Sequence, residues 1–182
     1  LGLILCVILG GELFTSTTLT LVARAAKRIT WGQLLKNWLI VYFGNLIGGL
    51  VIVALVMLAS QYMNSNGQWG LTALNTAQHK IHHTFVEAVA LGILCNLMVC
   101  VAVWMSFGGR TMTDKALIMV LPVAMFVASG FEHSIANMNT SPVGICIQTF
   151  AGPEFWQAIG ADPAKYADLT IGHFVINNLI PV

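Results

Sequence analysis

Of 182 residues, 57% are hydrophobic and only 8% are charged, against about 25% charged in an ordinary soluble domain, so the composition points to a lipid environment. A net charge of +1, with the basic residues gathered in short clusters, leaves no broad cationic face and excludes nucleic acid as a partner. The four cysteines, Cys6, Cys95, Cys100 and Cys146, lie mostly inside apolar runs without CxxC or ligand-like spacing, and they read as small packing residues rather than disulfide partners or metal ligands.

The opening run, Leu1 to Leu9, is apolar but too short to cross a bilayer. It leads into Gly10-Gly11-Glu12, after which LFTSTTLTLVARAA can resume a helix. Without Met, a basic flank or an A-x-A site it does not read as a signal peptide, and a fragment with both ends cut is expected. Thr15, Ser16, Thr17 and Thr18 are candidates for capping the resumed half-helix. Arg24, Lys27, Arg28 and Lys36 cluster in the next connection. Trp38 to Ala59 then runs for 22 residues without a charge; at about 1.5 Å of rise each, it crosses a hydrocarbon core of about 30 Å. Gly44-x-x-x-Gly48, with Gly49, admits the close approach of another helix, or faces lipid. Residues 60–83 are expected as a loop in which Lys80 stands among His79, His82 and His83. The string HKIHH is not HExxH, so no zinc site is expected.

Thr84 to Phe107 is a second full span, with Glu87 near its start and Asn96 near its middle; an amide at mid-depth faces protein or a pore. Arg110 and Lys115 form a second basic connection. Ala116 to Val127 is 12 residues with Pro122 inside, again too short, and after Ser129-Gly130 the stretch FEHSIANM can resume a helix. Residues 141–170 are too polar and turn-rich to span; short interfacial helices are expected, with Phe155, Trp156 and Tyr166 suited to an interface belt. Two full spans separate the basic connections, which places both on the cytoplasmic side and residues 60–83 and 141–170 outside. The two interrupted stretches read as helices broken within the membrane. Unpaired backbone is tolerated at that depth only where protein buries it or water reaches it, so two breaks imply a cavity between them.

TWGQLLKNWLI at 30–40 and TIGHFVINNLI at 170–180 match at Thr30/Thr170, Gly32/Gly172, Asn37/Asn177, Leu39/Leu179 and Ile40/Ile180. Each follows an interrupted stretch with a glutamate close behind glycine, Glu12 and Glu132. The chain therefore reads as a single membrane domain, incomplete at both ends, with residues 1–63 part of one repeat and 79–182 part of a second. The complete protein would have six spans, three per repeat. Three being odd, the repeats insert with opposite topology, and in such folds substrate binds near the midplane.

Glu132 and His133 are the chemical centre of this reading, because an ionisable residue inside a membrane costs about 2.5 to 3.5 kcal/mol on insertion scales. A small anion reaching His133 could be held by the imidazolium, or take its proton and leave as a neutral acid, while the resumed half-helix starts add N–H donors. The plainer readings are interhelical hydrogen-bonding for His133 and, for Glu132, either orienting a neighbour or closing the broken backbone. An intramembrane enzyme with Ser134 or Ser129 as nucleophile and His133 as base is disfavoured, since neighbours on a helix point about 100° apart. No nucleophile elbow, P-loop or dinucleotide fingerprint is present.

The stretches GGELFTSTTL, ITWGQLLKNWLIVYFGNLIGG, HHTFVEAVALGILCNLMVCVAVWMS and LPVAMFVASGFEHSIANM resemble the formate/nitrite transporter family, and the likeness covers essentially all 182 residues. The resemblance implies an all-α integral membrane fold, an aquaporin-like inverted repeat of 3+3 helices with two broken ones. It implies a homopentamer in the inner membrane whose protomers each pass formate and related small monovalent anions, with nitrite or hydrosulfide as alternative cargo and no cofactor or metal. Position by position, it marks His133 as the central pore histidine, Thr15 as the threonine facing it and Asn96 as the pore asparagine. Leu3, Leu13, Phe14, Val99 and Phe126 fall at apolar constrictions, and Lys80 and Glu132 at polar groups near the outer vestibule and the histidine. Glu12 stands where an aspartate is expected.

Overall fold

Among residues 2–182, which the computed structural model describes, every regular element is helical. In chain order the α-helices are α1 (Gly2–Leu9), α2 (Phe14–Thr17), α3 (Thr20–Ala25), α4 (Trp31–Leu58), α5 (Gln68–Ile81), α6 (Phe85–Ser106), α7 (Met112–Ala128), α8 (Ser134–Phe150), α9 (Pro153–Ile159) and α10 (Ile171–Phe174), with 3-10 turns at Gln61–Met63 and Pro163–Tyr166 and a π turn at Val175–Leu179. Within the described residues α4 and α6 are long and apolar enough to cross a membrane; α1 together with residues 14–25 meets the same criterion as a pair bent by 54°. The chain is a membrane protein.

The starts of three long helices are written into the sequence as capping boxes, in which a threonine and the side chain three residues on satisfy each other's backbone N–H. Thr30 N–H donates to Gln33 Oε1 (2.8 Å) and Gln33 N–H to Thr30 Oγ1 (3.2 Å) before α4. Thr84 and Glu87 pair in the same way before α6 (2.9 and 3.4 Å), and Thr111 and Asp114 before α7 (3.0 Å each). Glu87 is therefore a helix cap. Thr170 likewise accepts from His173 N–H (3.2 Å) at the start of α10, so Thr30 and Thr170, matched in the sequence, both open helices.

By its internal contacts the chain forms two compact units, Leu1–Asn45 with Leu91–Ile135, and Leu46–Ala90 with Ala136–Val182. The first has a core of Leu3, Cys95, Val99, Ala102, Val103 and Met119. In the second, residues 60–83 are a turn at Gln61–Met63 followed by α5, not a loop. Gly70, Leu74, Ala77 and Ile81 bury one face of it at the spacing of an amphipathic helix, and they meet Val53, Val143, Ile147, Phe155, Tyr166 and Leu169. Phe155 and Tyr166 are thus core residues rather than an interface belt, with Trp156 packed at their edge. The polar segment 141–170 also differs from expectation: α8 continues through Pro142 to Phe150, and only α9 and the turn Pro163–Tyr166 are short helices.

Proline is tolerated inside α8 because of what lies opposite. Pro142 has no N–H for the carbonyl of Met138 four residues earlier, and that carbonyl faces Gly49 of α4, where a Cβ would stand 3.1 Å from it. Asn139 Nδ2 donates to Gly49 O (3.3 Å) beside it. Of the three glycines read as a close-approach face, Gly49 makes the approach; a Cβ at Gly44 or Gly48 would meet nothing within 4 Å.

Candidate functional site

Two helix ends build the site. α1 ends at Gly10 (φ +75°) and α7 at Gly130 (φ +68°), a left-handed backbone that glycine adopts without a Cβ penalty, and each glycine stands two residues before a glutamate, Glu12 or Glu132. At the second end Phe131 N–H donates to Phe126 O and Gly130 N–H to Val127 O, both 3.1 Å, the paired bonds of a Schellman motif. At the first, Leu13 is extended and no side chain of its own segment caps α2. Phe14 N–H donates instead to Asn45 Oδ1 of α4 (2.9 Å), and Asn45 Nδ2 donates to Glu12 O (3.2 Å). The Glu12 carboxylate accepts from Asn37 Nδ2 at 3.2 and 3.3 Å.

These ends bring Thr15 and His133 together, Oγ1 to Nε2 at 3.2 Å across 118 residues of sequence. Thr15 is 6% exposed, His133 8% and Glu132 1%, so all three are withdrawn from the surface of the unit. The Phe126 ring stacks on the His133 imidazole, 5.6 Å between centroids and 20° between planes. Leu3 and Val99 are buried, and Leu13, Phe126 and Phe131 pack against the cluster they belong to. Phe14 sits apart from that cluster, its ring edge-on to Tyr42 (5.1 Å) and Trp38 (6.3 Å) of α4. Lys80 lies on α5 in the other unit, where its carbonyl accepts from Asn178 Nδ2 (3.4 Å).

Hydrogen inventory fixes the orientation of Asn96. Thr18 has one hydroxyl proton and gives it to Thr15 O at 2.7 Å, so it accepts from Asn96 Nδ2 at 3.3 Å. Asn96 Oδ1 is then an acceptor, buried and, among the described residues, without a partner. Cys100 Sγ lies 3.4 Å from Thr18 Oγ1 and 3.8 Å from Thr15 O. The outcome is a small polar line, His133–Thr15–Thr18–Asn96, inside an apolar cluster. Such a line can hand hydrogen bonds to a small polar guest while the surrounding side chains keep bulk water out. Of the hydroxyls expected to cap α2, those of Ser16 and Thr18 do a different job, donating to carbonyls three residues back, as the Thr20 hydroxyl also does.

Sequence reasoning passed over Asn45, Cys100 and the role of Asn37. The available signal was that Asn37 and Asn45, eight residues apart in an apolar helix, share a face.

The remaining histidines lie in the second unit. His82 Nε2 pairs with Asp168 Oδ2, Gln78 Nε2 donates to Asp168 Oδ1 (3.2 Å) and Lys165 O (2.8 Å), and His173 Nδ1 meets Asp168 O (2.7 Å). Partial burial pushes the Asp168 carboxyl up, but the hydrogen bonds from His82 and Gln78, with the charge of His82, together bring it below the ordinary aspartate value.

The whole chain is similar to known proteins. The family model described as Formate/nitrite transporter matches residues 1–182. The formate channel FocA of Escherichia coli strain K12 is 66% identical over 182 residues, covering 100% of this chain and 64% of that protein; FocA of Haemophilus influenzae is 63% identical with the same coverage. The chain thus spans a little under two thirds of the length of these curated relatives. A solved pentameric formate channel with formate bound superposes at a TM-score of 0.95 with 55% identity, covering 100% of this chain and 71% of that one. With the family model spanning its whole length and a near-superposable fold in a solved relative, the chain belongs to the formate/nitrite transporter family.

Proposed function

We propose that this chain is the larger part of a channel, not an enzyme, that passes formate and related small monovalent anions across the bacterial inner membrane, as one protomer of a homopentamer with a pore in each subunit. The relatives named formate channels and the pentameric, formate-bound neighbour support the cargo and the assembly. In this reading the complete protomer is a 3+3 inverted repeat, and the interruptions at residues 10–13 and 129–133 are breaks in its membrane helices. The matched glycine–glutamate spacing with left-handed glycines at both supports the duplication.

The observation that carries the reading is the hydrogen bond between Thr15 and His133, a titratable ring held by a hydroxyl among apolar side chains. A bare carboxylate entering such surroundings loses hydration worth far more than the channel can spare unless hydrogen bonds or a shared proton replace it. Formate sheds water at apolar constrictions to which Leu3, Leu13, Val99 and Phe126 contribute, meets His133 and Thr15, and finds Asn96 beyond them, with Glu132 orienting the histidine and Lys80 drawing anions to the outer mouth. Replacement of His133 by Phe abolishes pH-dependent formate flux into liposomes carrying the full-length protein. Flux in that variant unchanged from wild type between about pH 5 and 8, the range in which histidine titrates, would overturn the assignment.

A further inference from the structure

The interruption after α1 leaves backbone groups that its flanking helices cannot pair, and one side chain meets them from both sides. Asn45 Oδ1 accepts from Phe14 N–H at 2.9 Å while Asn45 Nδ2 donates to Glu12 O at 3.2 Å, so a single amide bridges across Leu13. Few side chains carry an acceptor and a fixed donor so close together. The same face of α4 adds to the hold. Asn37 grips the Glu12 carboxylate, Trp38 Nε1 donates to Thr20 Oγ1 at 3.0 Å, and the Phe14 ring lies edge-on to Trp38 and Tyr42. Thr15 directly follows Phe14, and its hydroxyl must stand within reach of His133 Nε2 for the pair to form.

The geometry points to Asn45 as a positioning residue of the anion site: by clamping residues 12 and 14 it sets where Thr15 presents its hydroxyl to His133. Asn45 touches no permeant anion; it acts through the backbone of the interruption. This rests on the transport reading given above. Because both functions of the amide are used, its substitutes are graded. Asn45→Leu removes the acceptor and the donor, whereas Asn45→Asp keeps an acceptor for Phe14 N–H and loses the donor to Glu12 O.

The test uses the full-length protein in liposomes and reads formate flux against pH, together with amide hydrogen exchange over residues 12–17. Asn45→Leu is expected to lower flux on the order of tenfold, the scale of one hydrogen bond to a buried group. It also displaces the midpoint of the pH profile and speeds exchange at Phe14 by a similar factor. Asn45→Asp falls between it and wild type on each readout. A wild-type midpoint and wild-type exchange in Asn45→Leu overturn the clamp. If that variant fails to assemble, Asn45→Asp decides the matter, and values equal to wild type overturn it again. Should the unaltered protein pass no formate, the transport reading falls, and exchange at Phe14 alone still decides whether Asn45 holds the interruption.

Discussion

At Thr15 the hydroxyl, not the methyl, faces the histidine, since its Oγ1 meets His133 Nε2 at 3.2 Å. Thr15→Val keeps the volume and removes the hydrogen bond. A loss on the order of tenfold in formate flux is expected in liposomes, with Thr15→Ser close to wild type; a Val variant as fast as Ser would sever the hydroxyl from transport. The residues proposed for this chemistry were legible because they break an apolar pattern: Glu132 and His133 stand out where charge is otherwise avoided, and Thr15 belongs to a conspicuous run of hydroxyls. Asn45 was not legible. An asparagine in a long apolar helix announces a polar partner but not which one, and its partners are backbone groups 31 and 33 residues away that carry no signature of their own.

Among the helices, capping and close approach decide where each begins and what it can lie against. Thr30→Ala removes one half of the box that opens α4 and should destabilise the protein by about 1 kcal/mol, read as a lower unfolding midpoint in detergent. Gly144→Ala is more severe, because the new methyl would stand 2.3 Å from the Ala77 side chain where α8 meets α5. Overpacking of that kind costs about 1–3 kcal/mol, and the same thermal melt checks it. The spans of α4 and α6 could be read from length and apolarity alone, to within seven residues at the start of α4. Helix α5 was missed: its polar residues dominate the eye, while the buried face of Gly70, Leu74, Ala77 and Ile81 is sparse. The extent of α8 was missed for a different reason. The stretch from residue 141 on is polar and turn-rich, and nothing in it shows that Gly49 leaves room for the carbonyl that Pro142 cannot engage.

For the molecule as a whole, one source of acid sensitivity outside the long apolar helices is Asp168. Its folded carboxyl titrates below the ordinary value of 3.8, so its contribution is complete above that value and is lost as pH falls through the lower, folded one. Melts of the wild type and of Asp168→Asn should therefore differ above the ordinary aspartate value and converge as pH falls through the lower, folded one; a gap that persists in strong acid would mean the carboxylate is not what His82 and Gln78 hold. Family and all-helical class were available from the sequence, whereas the division into two interleaved contact units was not, since it depends on which helices meet rather than on what each contains. Asn45 also imposes an order on the making of the protein. A ribosome delivers Phe14 31 residues before the side chain that pairs its amide, and hydrocarbon does not admit an unpaired N–H. On the reading that sets the first interruption within the bilayer, it must therefore wait, in water or within the insertion machinery, until a helix still being translated arrives to seat it.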